Sequence, residues 1–160
     1  MAQMDMFHNI NPGNAILLDN YQAGIALDDA LTVDTQGYES VTFILNTGEE
    51  GTGDFEITVY DSDVDETASY EQVTNSAVGT PLLINLLGTE ELPDDAGDGL
   101  AFSGDVNFYS MFKFAYIGKK RYLRLVLVAE NGPDLDFGVM ALMGNPNQAP
   151  TRDIPTTVNP

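Results

Sequence analysis

Apolar and polar residues alternate along much of the chain with a period of two. Residues 41–45 and 55–59 show the alternation most clearly, and residues 107–117, 121–128 and 137–143 are also rich in apolar strand-forming positions. This period is typical of a β-strand that buries one face. No segment repeats its apolar residues with helical periodicity, so we expect helix in less than about 15% of the chain.

Shorter apolar runs supply the remaining strand candidates. They lie at residues 15–18, 25–27, 31–33, 70–74 and 82–87, of which the last is also compatible with a short helix. About eight to ten short strands, with turns roughly every ten residues, are typical of an antiparallel β-sandwich or jelly roll. The sequence therefore predicts an all-β fold of that class.

Three polar or glycine-rich segments predict the turns. Residues 47–53 contain three glycines between two predicted strands, which favours a long hairpin loop. Residues 118–120 predict a hairpin tip that exposes Lys119 and Lys120. The Asn-Gly-Pro-Asp segment at 131–134 predicts a turn before the last strand.

The distribution of residue types divides the chain into a body and two arms. Residues 1–13 lack strand periodicity and form an N-terminal arm, and residues 14–144 form the β-sandwich body. Residues 145–160 contain half of the 8 prolines and form a Pro-rich C-terminal arm. Because proline has no backbone N–H to donate, this arm is expected to run extended. No apolar run is long enough to span a membrane, and the first residues do not resemble a signal peptide.

The charge balance disfavours two classes of partner and most catalytic chemistry. With 25 acidic and 6 basic residues, the formal net charge is -19, which disfavours nucleic acid and anionic membranes. The chain has no Cys, which excludes thiol nucleophiles and cysteine zinc sites. Its one histidine, His8, lies in the N-terminal arm, where a catalytic triad could not hold it rigidly beside a serine. We therefore expect no enzyme activity, no catalytic residues and no cofactor.

One acidic segment has the spacing of a calcium-binding loop. Asp61, Asp63 and Asp65 alternate as the first ligands of such a loop do. An EF-hand loop continues with glycine and closes with a glutamate at its twelfth position, whereas Glu66 and Gln72 occupy those positions here. We expect a solvated turn and no tight metal site.

The basic residues are concentrated in one part of the sequence. Residues 1–112 contain no Lys or Arg, and five of the six basic residues follow within a short stretch: Lys113, Lys119, Lys120, Arg121 and Arg124. Such a cluster can contact an acidic partner surface or a neighbouring copy, or it can pair with carboxylates of its own chain. Strand alternation places Arg121 and Arg124 on opposite faces. We therefore expect one of the two arginines to pair within the chain.

Four segments of the sequence resemble a family of small virion proteins of tailed phages. They are QGYESVTF at 36–43, DFEITVYDSD at 54–63, YIGKKRYLR at 116–124 and ALMGNPNQAP at 141–150. The resemblance extends over roughly residues 37–150. Proteins of this kind are typically encoded near the major capsid gene, and some are head decoration, or cement, proteins.

The resemblance implies a non-enzymatic clamp on the outer capsid surface of the virion. Its partner would be the major capsid protein at junctions between capsomers, and a homotrimer is the natural oligomer at capsid three-fold axes. Two alternatives stay open: a virion-displayed carbohydrate-binding or receptor-binding module, and a structural component of the tail or neck. The expected partner-binding residues are Lys119, Lys120, Arg121 and Arg124 of the basic cluster, Met4, Met6, Phe7 and Ile10 of the N-terminal arm, and Pro146, Pro150 and Pro155 of the C-terminal arm.

Overall fold

The computed structural model describes residues 11–73, 83–85, 99–107, 109–116 and 118–146. Within these ranges the chain forms antiparallel β-strands and one short 3-10 turn, which confirms the predicted all-β fold. No helix in the described part of the chain is long and apolar enough to cross a membrane. The jelly-roll topology stays a prediction.

The strands vary widely in length. The longest, β9, has 25 residues, and the shortest, β5, has 2. A 3-10 turn at Thr67–Ser69 precedes β5. In chain order the strands are β1 (Asn11–Tyr21), β2 (Thr32–Asp34), β3 (Tyr38–Thr47), β4 (Thr52–Ser62), β5 (Glu71–Gln72), β6 (Leu83–Asn85), β7 (Gly99–Ser103), β8 (Met111–Tyr116) and β9 (Tyr122–Pro146).

One curled antiparallel sheet contains all of these strands, and β9 runs through both of its halves. The C-terminal part of β9 pairs with β1 on one side and β3 on the other, and β8 and β6 follow beyond β3. We call this the β3 half. The N-terminal part of β9 pairs with β2 and β4, and both β5 and β7 lie along the far edge of β4. We call this the β4 half.

The core lies between the two halves, where the apolar faces of their strands meet. Phe137 of the β3 half packs against Phe55 and Phe102 of the β4 half, with ring centroids 5.5 Å and 5.2 Å away. Burying each large apolar side chain contributes about 1.5–3 kcal/mol. The largest of the fully buried side chains are Phe43, Phe137, Leu45, Ile57, Leu123, Leu125, Leu127, Leu135, Val41, Val59 and Val139.

Both predicted hairpins are wrong. β3 and β4 lie in different halves of the sheet and do not pair, so residues 48–51 cross from one half to the other. Residues 118–121 make a similar crossing between β8 and β9, although Lys119 and Lys120 are exposed there as expected. The local sequence correctly places the breaks between strands. However, β3 and β4 each pair with a different part of β9, the longest strand, and not with each other.

The predicted turn at residues 131–134 is a bulge inside β9. Asn131 and Gly132 have φ angles of 59° and 71°, in the left-handed region that turns and bulges share. The register between β4 and β9 shifts at this point, opposite Gly53. The bulge allows a single strand to bend from the β4 half into the β3 half.

Several shorter predictions are corrected or refined. The candidate at 25–27 is reduced to a single bridge between Ile25 and Leu127, and the described part of the candidate at 70–74, residues 70–73, contains the two-residue β5. Strand β7 was not predicted, because its apolar stretch is short and follows a run of acidic residues and glycines. The parts of the candidate at 82–87 outside β6 lie outside the described residues.

Candidate functional site

Arg124, on β9, is bound almost entirely by its own chain. Only 12% of its side chain is exposed, and its guanidinium lies 4.6 Å from the centre of the Tyr70 ring. Four of its five N–H donors are used within the chain. They donate hydrogen bonds of 2.9–3.1 Å to the backbone oxygen of Leu27, Oγ1 of Thr32, Oγ1 of Thr67 and Oδ1 of Asp65. Arg124 therefore ties β9 to the segments on either side of it and offers little to a partner.

Arg121 and Lys120 form ion pairs at the surface. Arg121 donates to both carboxylate oxygens of Asp34, with Nε–Oδ1 and Nη2–Oδ2 distances of 2.9 Å and 2.8 Å. Its guanidinium also lies 4.7 Å from the centre of the Tyr122 ring. Lys120 donates from Nζ to Oδ2 of Asp63, and both of these side chains are largely exposed. Exposed pairs stabilise a fold by only about 0–1 kcal/mol, so a partner can compete for them.

The other two cations of the cluster have no such partner in the part of the chain that the structure describes. Lys119 is exposed between β8 and β9 and makes no ion pair with a described residue. Lys113 is half-buried on β8, where it pairs across the sheet with Ile44, and it also lacks an ion pair with any described residue. Of these five cations, three pair with carboxylates of their own chain, both arginines among them, and two make no ion pair with a described residue.

Residues 61–66, the acidic turn, begin in the last two residues of β4 and continue beyond its end. Asp61 accepts a hydrogen bond of 2.7 Å from the Tyr116 hydroxyl, and Asp63 accepts one from Lys120. Asp65 binds Arg124 and also accepts a hydrogen bond of 2.8 Å from the hydroxyl of Tyr70. The three carboxylates therefore have three different sets of partners. No group of three or more possible metal ligands occurs among the described residues, and the weak affinity for calcium stays a prediction.

Burial and hydrogen bonds move the pKa values of these acids in opposite directions. Burial raises the pKa of Asp61, although the hydrogen bond from Tyr116 opposes the shift. The hydrogen bond from Tyr70 is the largest of the effects that lower the pKa of Asp65. Arg121 likewise lowers the pKa of Asp34 through its hydrogen bonds. Burial, followed by the nearby Asp61 carboxylate, raises the pKa of Tyr116.

A depression beside the 48–51 crossing is lined mainly by acidic and polar groups. Its acidic residues come from the crossing and from β9, and Asn20 donates a hydrogen bond of 2.8 Å to Oδ1 of Asp134. These carboxylates would repel a phosphate or a nucleic acid. The charged residues that line it are Glu49, Glu50, Asp134 and Asp136.

An open apolar groove lies on the outward face of the β3 half, and we call it the outer groove. Ile44, Met111 and Met140 line it from three neighbouring strands, and Met111 and Met140 are 64% and 45% exposed. Asn14 and Asn46 supply polar groups in the same lining. The sequence analysis did not predict this groove, since Ile44, Met111 and Met140 are far apart in the chain. Only the pairing of β1, β9, β3 and β8 brings them together.

Both ends of the body lie at one end of the β3 half. Asn11, the first residue of β1, pairs with Met143, while Pro146, the last residue of β9, pairs with Tyr38. Because β1, β9 and β3 are neighbours, residues 1–10 and 147–160 are joined to the body on adjacent strands. The predicted anchors Met4, Met6, Phe7, Ile10, Pro150 and Pro155 lie outside the described residues.

Comparison with solved structures gives a weak structural likeness. No protein-family model and no curated protein matches the chain. Among solved structures, the crystal structure of the SPBc2 prophage-derived protein YomS is similar, with 12% sequence identity and a TM-score of 0.47. The superposition covers 85% of this chain and 95% of that one.

Proposed function

We propose that this protein is a tailed-phage capsid decoration protein that binds the major capsid protein on the outer surface of the head. The four segments that resemble small phage virion proteins support this assignment. The structure contributes the positions of Asn11 and Pro146, at which the two arms join the body, and this observation carries the proposal. The body is a compact β-domain, and chain segments leave it on adjacent strands at a single end.

This arrangement suits attachment at a junction between several subunits. Two arms that start together direct their contacts to one side of the body, and each arm extends the reach of the domain. Once the body is held in place, further weak contacts become effectively intramolecular and add to the attachment. An arm rich in proline loses less conformational entropy on docking than a flexible chain does. We propose a homotrimer as the oligomer that sits over a capsid three-fold axis.

The distribution of charge favours a contact made by few cations. Lys120, Arg121 and Arg124 bind carboxylates of their own chain, so the large acidic excess dominates the remaining surface. Lys119 is the exposed cation that remains available in the described part of the chain. We propose Lys119, with Lys120 beside it, as the contact to an acidic patch on the capsid.

Adding the purified protein to undecorated heads of the parent phage tests this proposal. We expect saturable binding on the outer surface, with a copy number comparable to that of the major capsid protein. Cryo-electron microscopy of the decorated heads would locate the density. A few copies at a single vertex would support a tail or neck component instead. Failure to bind heads, together with specific binding on a glycan array, would support the receptor-binding alternative.

A further inference from the structure

The outer groove needs an apolar and nearly uncharged occupant. Ile44, Met111 and Met140 contribute apolar surface to its lining, and Gly138 beside them contributes no side chain, which leaves the groove open. Exposed apolar surface of this kind marks an interaction site when its residues form one continuous patch. Because the chain carries a formal charge of -19, most of its own surface could not approach this face of another copy without repulsion.

The N-terminal segment, residues 1–10, has the chemistry that fits this groove. It contains one acidic residue, Asp5, and no Lys or Arg, so it carries little of the net charge of the chain. Its apolar residues are Met1, Met4, Met6, Phe7 and Ile10. Methionine side chains are unbranched and polarisable and adapt well to open apolar grooves.

Methionine is concentrated on the two surfaces that would meet. The chain has 6 methionines, and three of them lie within its first six residues. Two more, Met111 and Met140, are exposed in the outer groove. The remaining one, Met143, is buried in the core. Every methionine outside the core therefore belongs either to the segment or to the groove.

The direction of β1 decides which copy supplies the segment. Asn11 pairs with Met143, and the groove row that contains Asn14 and Met140 lies three residues further into the sheet, about 10 Å away. Because Asn11 begins β1 at the end of the sheet and β1 then runs toward the groove, a segment that precedes Asn11 must reverse direction to reach the groove of its own chain. Ten extended residues span at most about 35 Å, enough to reach a neighbouring body without a reversal.

We propose that the outer groove binds the N-terminal segment of a second copy of this chain. This inference rests on the proposed function in that it names the partner of one arm of the decoration protein. In a closed ring each copy gives one segment and receives another, so every groove is filled. The contact is heterologous, and a rotation that closes the ring yields a discrete oligomer.

The absence of cysteine from the chain permits a specific cross-linking test. Phe7→Cys and Met140→Cys variants, one of them carrying a mass tag, are mixed at high protein concentration and oxidised. We expect a disulfide between the two different chains. Met4→Cys serves as a second arm position, so that a single unfavourable register does not decide the result. Val128→Cys is the matched control, since Val128 is also exposed and apolar but lies in the β4 half.

The remaining measurements separate the possible outcomes. In the double variant Phe7→Cys/Met140→Cys, both cysteines lie in one chain. Even in dilute solution, where contacts between chains are rare, we expect no disulfide within that chain. A disulfide within one chain, or equal cross-linking to Val128→Cys, would overturn the inference, as would the absence of cross-links from both arm positions. Circular dichroism confirms that each variant is folded. If the protein binds heads but no cross-link forms, the inference about the groove fails and the proposed function stands. If the cross-link forms but the protein does not bind heads, only the proposed function fails.

Discussion

The hydroxyl of Tyr116 donates a hydrogen bond of 2.7 Å to Asp61 and so joins the two halves of the curled sheet. Tyr116 ends β8 in the β3 half, while Asp61 lies near the end of β4 in the β4 half. Because Tyr116 is only 2% exposed, the Asp61 carboxylate that it binds lies at the edge of the core. Burial raises the pKa of Asp61 despite this hydrogen bond.

Asp61→Asn should change the pH dependence of stability in a defined direction. A carboxyl whose pKa is higher in the folded state than in the unfolded state stabilises the fold at low pH and loses that contribution as pH rises through the folded value. As pH rises from about 3 to about 7, the free energy of unfolding of Asp61→Asn should therefore increase relative to that of the wild type. Urea unfolding across this range measures the difference.

Asp65→Asn provides a comparison of opposite sign. Hydrogen bonds lower the pKa of Asp65, so its contribution to stability is present above the unfolded pKa and lost as pH falls through the folded value. The wild type should be more stable than Asp65→Asn at about pH 7, and its advantage should shrink on acidification. If the stabilities of Asp61→Asn and Asp65→Asn, each relative to the wild type, changed with pH in the same direction, the opposite pKa shifts assigned to the two carboxyls would be contradicted.

Arg124→Met should destabilise the protein much more than Arg121→Met does. Removing Arg124 leaves the backbone oxygen of Leu27 and its other partners without their donor at a site that is mostly buried. Hydrogen bonds to a charged group contribute about 1.5–3 kcal/mol, so we expect a loss in that range or above it. Arg121 pairs with Asp34 at the surface, where solvent screens the charges and the expected loss is small. Equal losses in urea unfolding would contradict the internal role of Arg124.

The sequence predicts the buried faces of the strands better than it predicts their partners. Alternation correctly identifies the inward positions of β3 and β4, because burial of one face acts on each strand separately. Pairing depends on residues far apart in the chain, and residues 47–53 look locally like a hairpin loop. The Asn-Gly pair at 131–132 adopts positive φ angles in either a turn or a bulge, so its composition does not distinguish them.

For the candidate site, too, the sequence shows which residues are present but not which of them make contact. The clustering of Lys119, Lys120, Arg121 and Arg124 is visible in the sequence, and so is the acidic turn. Their mutual contacts are not, because Asp34 and Asp65 reach the cluster only through the pairing of β2 and β4 with β9. The outer groove depends in the same way on four strands that are distant in the sequence.

Gly53→Ala should destabilise the crossing of β9 between the halves. Gly53 has a φ angle of 91°, and an added Cβ would lie 2.5 Å from Cα of Pro133. Gly132→Ala is the matched control, since its φ angle is also positive, 71°, but no atom lies within 4 Å of its added Cβ. The control should lose about 1–2 kcal/mol from backbone strain alone. Gly53→Ala should lose clearly more in urea unfolding, and a smaller loss would show that the bulge relaxes around the added methyl group.

Calcium should not bind tightly to the acidic turn. Asp61, Asp63 and Asp65 are engaged by Tyr116, Lys120 and Arg124, and the turn lacks the closing bidentate glutamate of a calcium loop. Isothermal titration calorimetry with calcium should give no micromolar site. Binding that disappears in Asp63→Ala would show that calcium displaces Lys120.

Reversing the charge of Lys119 and Lys120 distinguishes contact with a partner from pairing inside the chain. The double change Lys119→Glu and Lys120→Glu should preserve the fold, because the side chain of Lys120 is 45% exposed in its pair with Asp63 and such pairs contribute at most about 1 kcal/mol. It should weaken attachment to undecorated heads, since two added negative charges repel an acidic surface. Attachment of the wild type should also weaken as salt concentration rises.

The two single variants locate the effect. Lys119 makes no ion pair with a described residue, so Lys119→Glu should weaken attachment without lowering the melting temperature. Lys120→Glu places a carboxylate beside Asp63 and should lower the melting temperature slightly. Binding to heads at two salt concentrations, measured beside thermal unfolding, separates these effects. If Lys119→Glu and the double variant bind like the wild type, the cluster serves only to offset the negative charge of its own chain.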